Sequence, residues 1–138
     1  MKKNAFTMIE LVFVIVVLGI LAAIAIPKFA ATRTDAVISK GRAEVATIRS
    51  AIISERQSRL IKGETNYIAA NKLDNNDGLF AGVLTYGIKS STKSGHWSGG
   101  SGTYYYHVDG TSVKFTYDQN TGKFTCDRSQ DYCSELID

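Results

Sequence analysis

Few residues in this chain of 138 have the types and spacing that chemistry needs. Cys126 and Cys133 are its two cysteines, close together near the C-terminus. Behind an export-type N-terminus, such a pair more often closes a disulfide in an oxidising compartment than holds a metal. The loop between them is short, which sets the expected stabilisation at roughly 2–3 kcal/mol on the loop-entropy account. A zinc site built from Cys126, Cys133 and His107 lacks a fourth ligand and tight spacing. Asp127 and Asp131 alone do not make the oxygen cluster that calcium requires. His96 and His107 are the two histidines, and neither falls in a pattern with a nucleophile. There is no phosphate loop, no metal-binding helix motif and no Gly-x-Ser-x-Gly, so the sequence offers no catalytic constellation and no cofactor site.

That leaves one carboxylate in an unusual place. Glu10 lies near the start of FTMIELVFVIVVLGILAAIAIPKF, a run with no other charge until Lys28. At about 1.5 Å per residue, Phe6 to Ile26 forms a helix of roughly 30 Å, the hydrocarbon thickness of a bilayer. Lys2 and Lys3 precede the run and set the N-terminus on the cytoplasmic side. The rest of the chain then lies outside the cytoplasm, in agreement with the cysteine reading.

Three readings of this stretch compete. In the first it is a secretory signal, with Ala23-Ile24-Ala25 as an A-x-A-like cleavage site; the length of the run and its carboxylate count against this. In the second it is a plain anchor, which explains the length but gives Glu10 no role. A charge at mid-helix costs about 2.5–3.5 kcal/mol on insertion scales, and less near an interface. In the third reading, removal of Met1–Ala5 frees a positively charged amine on Phe6. The amine of one subunit then meets the Glu10 carboxylate of a neighbour, and in apolar surroundings the pair fixes the stagger between chains.

These residues resemble the N-terminus of type IV pilins and the related type II secretion pseudopilins. Phe6, Thr7, Ile9, Glu10, Leu11, Gly19 and Pro27 match the family pattern in register. Met8 stands where Leu is commoner, and Ala5 where the family usually has Gly before the scissile bond. The resemblance implies that a prepilin peptidase cuts Ala5–Phe6 and that Phe6 becomes N-methylated. It further implies that Glu10 acts in assembly and that the helix can break between Gly19 and Pro27. An inner-membrane assembly platform with a cytoplasmic ATPase is implied as the partner machinery, and no catalysis is required of the chain itself. The family also often carries a disulfide-closed C-terminal loop, which Cys126–Cys133 resembles.

The elements that must position these residues follow in order. Ile38, Gly41, Val45, Ile48 and Ile52 recur at three and four residues, with Ile53 and Leu60 extending the pattern. This spacing predicts an amphipathic helix continuing the membrane segment to about Ile61, with Glu55 and Arg59 placed for an i,i+4 pair and Gly63 as a stop. From Lys28 to Lys62 there are eight bases against three acids, and from Gly63 to Asp138 six against nine: a basic stem on an acidic head. The arginines read mainly as a solvated helix face, the alternative being contact with the acidic head of another copy. Nucleic-acid binding by the stem is disfavoured, because its apolar face has to cover the sheet.

Glu64 to Gly82 reads as an irregular connector with one short helical piece. Val83–Lys89, Thr103–Val108, Ser112–Tyr117 and Lys123–Cys126 read as strands, with hairpin turns at Asp109-Gly110 and Asp118–Gly122. Ser90–Gly102 reads as a flexible loop carrying Trp97, which either docks on the sheet or stays exposed for recognition; docking is favoured. Of Tyr104, Tyr105 and Tyr106, at least one must face outwards. The expected fold is α+β, a long N-terminal helix on a small antiparallel sheet. The expected organisation is a leader (1–5), a membrane and filament-core helix (6–27), an amphipathic stem (28–62) and a connector with the sheet head (63–138).

The leading functional expectation is a homo-oligomeric filament subunit serving adhesion, motility or DNA uptake. It would wait in the membrane lipid of the cytoplasmic membrane and then enter an extracellular pilus. A periplasmic pseudopilus of type II secretion is the alternative within the class. The alternative of another class is a monomeric membrane-anchored binding domain that uses the Trp97 loop.

Overall fold

In the computed structural model the described residues are 5–138. The expected leader therefore lies, except for Ala5, outside the described residues. The architecture is α+β with the pilin-like layout of a long N-terminal helix and a small four-stranded antiparallel sheet. Helix α1 spans Met8–Ile61 and is followed by a 3-10 turn at Ala70–Lys72. The strands are β1 (Trp97–Gly100), β2 (Thr103–Val108), β3 (Thr111–Asp118) and β4 (Lys123–Cys126), and helix α2 spans Cys133–Ile137. The sheet order is β1-β2-β3-β4, a meander with every neighbour antiparallel. The chain divides between Asp35 and Ala36 into two compact units.

In the second unit, α1 buries Gly41, Val45, Ile48 and Ile52, a stripe at the three-and-four spacing of one helix face. Ile53 and Leu60 do not extend it and are about half exposed. Both lie well round the helix from Ile52, and Arg56 and Arg59 occupy the turns that continue the stripe. The helix ends where Gly63 takes φ +81°. The Gly63 N–H donates to Leu60 O and the Glu64 N–H to Arg59 O, each at 3.0 Å, a Schellman arrangement that satisfies the last carbonyls. Arg59 pairs across this cap with Glu64 at 2.9 Å instead of with Glu55.

The stem cations are not a merely solvated face. Arg49 Nε donates to Phe124 O at 2.9 Å and Arg42 Nε to Glu135 O at 2.8 Å, while Lys40 donates to Gly95 O. Backbone carbonyls of β4, of α2 and of the turn before β1 that would otherwise need water are thus met by the helix, and its charge becomes part of the packing.

The core is aromatic. Phe80, Trp97, Tyr104, Tyr106, Phe115 and Phe124 are all buried, with ring centroids 4.1–5.9 Å apart in mostly edge-on or tilted contacts. Every polar tip has a partner: Trp97 Nε1 donates to Glu44 at 2.9 Å, Tyr106 OH to Val37 O at 2.7 Å and Tyr117 OH to Ile68 O at 2.9 Å. Tyr104 OH reaches the Asp74 carboxylate at 2.9 Å. Burial, and then the charge of Asp74, push the Tyr104 hydroxyl well above its ordinary range, so it stays a donor. Tyr105 alternates outwards between its two buried neighbours.

Two local expectations are corrected. Trp97–Gly100, expected as loop, is the edge strand β1, paired with β2 in the register Trp97 to Tyr106. Trp97 is docked and fully buried, and it anchors a strand whose glycines have no β propensity of their own. Ser101-Gly102 turns β1 into β2 with φ positive at both residues, as Asp109-Gly110 turns β2 into β3. Val83–Lys89, expected as a strand, makes only a single bridge, Leu79 with Ile88. Val83 and Leu84 N–H both donate to Phe80 O, so turns consume the groups a ladder would need.

Candidate assembly site

The first unit contains the residues singled out for processing and assembly. Helix α1 begins at Met8, directly after Thr7. The Thr7 N–H donates to Glu10 Oε2 at 2.9 Å, the Thr7 hydroxyl donates to the same oxygen at 2.8 Å, and the Glu10 N–H donates to Thr7 Oγ1 at 3.3 Å. Thr7 at the N-cap and Glu10 three residues later form a reciprocal capping box, which satisfies two of the helix's orphan donors. The sequence carried this signal as Thr-Met-Ile-Glu, and charge-pair reasoning alone passed over it.

Glu10 therefore has a local task that needs no second chain. Its placement still leaves room for one. Both local bonds fall on Oε2, and Oε1 accepts no hydrogen bond among the described residues. Phe6, Ile9, Glu10, Phe13 and Val14 line an open groove of about 400 Å³, in which Glu10 is the one charged group. Phe6 is 82% exposed and Ala5 is exposed beside it, so the expected scissile bond is accessible.

Beyond the cap, α1 presents apolar side chains all round. Leu11, Val12, Phe13, Ile15, Leu18, Ile20, Leu21 and Ile24 are exposed. Its apolar window is long enough to cross a membrane by length and composition, and none of that window is buried. Exposed apolar area on this scale marks a surface made for lipid or for other helices. Gly19 faces open space, and α1 runs unbroken through both Gly19 and Pro27.

Cys126 and Cys133 belong to the second unit, where they form a disulfide with Cα atoms 6.0 Å apart. Both sulfurs are in the core, while Asp127, Arg128, Ser129 and Asp131 of the enclosed loop are exposed. Gln130 tethers that loop: the Lys114 N–H donates to its Oε1 at 2.8 Å and its Nε2 donates to Lys114 O at 3.1 Å. It thereby supplies the partner that β4, ending at Cys126, does not give this part of β3. His107 hydrogen-bonds with Ser98 Oγ at 2.7 Å and Ser112 Oγ at 2.9 Å across three strands. Burial, and then the neighbouring His96, hold its imidazole below the ordinary value. The arrangement ties β1, β2 and β3 together through one imidazole, a pairing of His107 with two serine hydroxyls that sequence spacing did not reveal.

Residues 1–26 match the family model of the prokaryotic N-terminal methylation motif, the signature of type IV pilins and pseudopilins. That family is structural. The match ends at Ile26, so it covers the groove, the cap and the apolar helix, and none of the sheet. No curated protein and no solved structure gives a significant match to the chain.

Proposed function

We propose that the chain is a structural subunit of a type IV pilus-like filament. It sits first in the cytoplasmic membrane as a single-pass precursor with its sheet unit outside the cytoplasm. A prepilin peptidase cuts between Ala5 and Phe6 and methylates the new amine. An inner-membrane platform with its ATPase then adds subunits to a homopolymer whose apolar helices bundle in the core. The methylation motif, laid over an unburied apolar helix with one carboxylate, carries this reading.

In the filament the Phe6 amine of one subunit takes the unused Oε1 of Glu10 on the next. The bond sets the stagger, since a charge pair in apolar surroundings is far more favourable than either charge left alone. Local unwinding between Gly19 and Pro27 accompanies the transfer out of the bilayer, because Gly and Pro are the poorest helix formers in the segment. The disulfide-closed loop favours a pilus subunit over a secretion pseudopilin.

Mass measurement of the mature N-terminus tests the processing step. The expected chain starts at a methylated Phe6; a chain starting at Ile26 identifies an ordinary secretory signal and overturns the proposal. Shearing of cells tests polymerisation. The chain should appear in the released fibres, and finding it only in membranes while the assembly system is active would leave a monomeric anchored domain as the reading.

A further inference from the structure

The second unit holds a cleft of its own, lined by residues that the proposed amine–carboxylate pairing does not involve. It has a volume of about 460 Å³ and opens between the last turns of α1, the connector after Gly63 and the β3–β4 turn. Arg56, Arg59 and Lys72 all line it, and no carboxylate does. We propose that this cleft binds an acidic saccharide, a sugar carrying a carboxylate.

The cations are held in a manner that suits a ligand carboxylate. The Arg56 guanidinium carbon lies over the Tyr67 ring, 4.3 Å from the centroid. A cation–π contact uses none of the five guanidinium N–H donors, so they are left for a ligand carboxylate. Tyr67 also packs against Gly122, where an added methyl would overlap the ring. Gly122 has φ +70°, so both its conformation and its lack of a side chain suit the post on which the Arg56–Tyr67 stack rests. Arg59 is fixed by Glu64 at 2.9 Å and by Asn66 O. Lys72 makes no ion pair among the described residues.

The remaining wall selects a polyhydroxylated molecule over a simple ion. Asn66, Gln119 and Asn120 bring side-chain amides to the cleft. Gln119 accepts from the Ala70 N–H at 3.1 Å through Oε1, which orients its amide so that the NH₂ is left to donate. Small-molecule sites occupy roughly 300–1,000 Å³, and this cleft falls within that range, far above the need of a single phosphate. The chain's own acidic C-terminus is a poor occupant. Asp138 is paired with Arg128 at 2.7 Å and Leu136 is buried, so the tail is already committed to its own fold.

Calorimetric titration of the full chain in zwitterionic detergent micelles with digalacturonic acid tests the assignment. Binding is expected, together with at least a ~10-fold loss in Arg56→Gln and in Lys72→Gln, the equivalent of about 1.4 kcal/mol each. Lys72 is exposed, so its replacement leaves folding intact and keeps the test decisive if Arg56→Gln disturbs Tyr67. Lys123→Gln, which alters a cation outside the cleft, should bind as the parent does. The proposal is overturned if digalacturonic acid does not bind. It is equally overturned if neutral galactobiose or inorganic phosphate binds as tightly, or if a Ser134–Asp138 peptide displaces the sugar at matched concentration.

Discussion

At Glu10 an observed cap and a proposed charge pair fall on one carboxylate, and a single isostere separates them. The capping box accepts Gln as well as Glu at its third position, so Glu10→Gln preserves the bonds with Thr7 while removing the charge. If the charge pairs with a neighbouring amine, Glu10→Gln inserts normally and yields few or no sheared fibres. Wild-type fibre yield from that variant refutes the pairing. Thr7→Val is the reciprocal control: it gives up about 1 kcal/mol of cap yet keeps the carboxylate, so fibres should still form. His107 permits a second prediction at this scale. Its folded value lies below the ordinary 6.5, so well above pH 6.5 neither folded nor unfolded chain is protonated there. As pH falls through 6.5 the unfolded chain takes up the proton first, and stability is lost until the folded value is passed. The thermal midpoint should therefore decline below pH 6.5, and His107→Gln should lack that component of the decline. Glu10 was legible in the sequence by its isolation among apolar residues. The serine partners of His107 were not, because they come from strands whose register only the folded sheet defines.

Between elements there is a close approach at Gly41, where α1 meets Tyr106 of β2 and Leu136 of α2. A methyl on Gly41 would overlap both side chains. Overpacking of this kind costs about 1–3 kcal/mol, so Gly41→Leu should lower the thermal midpoint of the full chain in micelles by roughly 10 °C. An unchanged midpoint would mean that helix and sheet can separate freely. Reduction of Cys126–Cys133 frees α2 from β4; at about 2–3 kcal/mol the expected fall is roughly 10–20 °C, read as melting with and without reductant. The helix stripe from Gly41 to Ile52 was legible because period 3.6 is a local pattern. The limits of the sheet were less so. Val83–Lys89 has the composition of a strand, but its backbone donors turn back on Phe80. Trp-Ser-Gly-Gly lacks that composition, yet becomes β1 because buried Trp97 and the β2 ladder outweigh propensity. Helix α2 escaped notice for a similar reason: five residues carry too little periodicity, and the docking of Leu136 is what holds them.

Across the whole molecule, two kinds of surface have been assigned to two stretches of chain. The buried core residues and the hydrophobics packed on them run from Val37 to Ile137, and none comes from the first unit. The exposed apolar side chains of α1 up to Phe29 contribute nothing to that core and have water as their alternative to lipid or another helix. The residues that fold the second unit are thus separate from those proposed to polymerise, as suits a subunit folded before it is assembled. It follows that residues 36–138 should fold alone. The new end removes the helix preceding Ala36 and the Thr7–Glu10 cap, so the first turn frays, while Gly41, Val45, Ile48 and Ile52 still find the sheet. The truncated chain should be monomeric without detergent and unable to enter fibres. Its thermal midpoint should lie within about 5 °C of the full chain in micelles, a difference equivalent to about 1 kcal/mol for a domain of this size. Loss of cooperative melting, or of the near-ultraviolet signal from buried Trp97, would show that the apolar helix is needed for folding as well as for assembly.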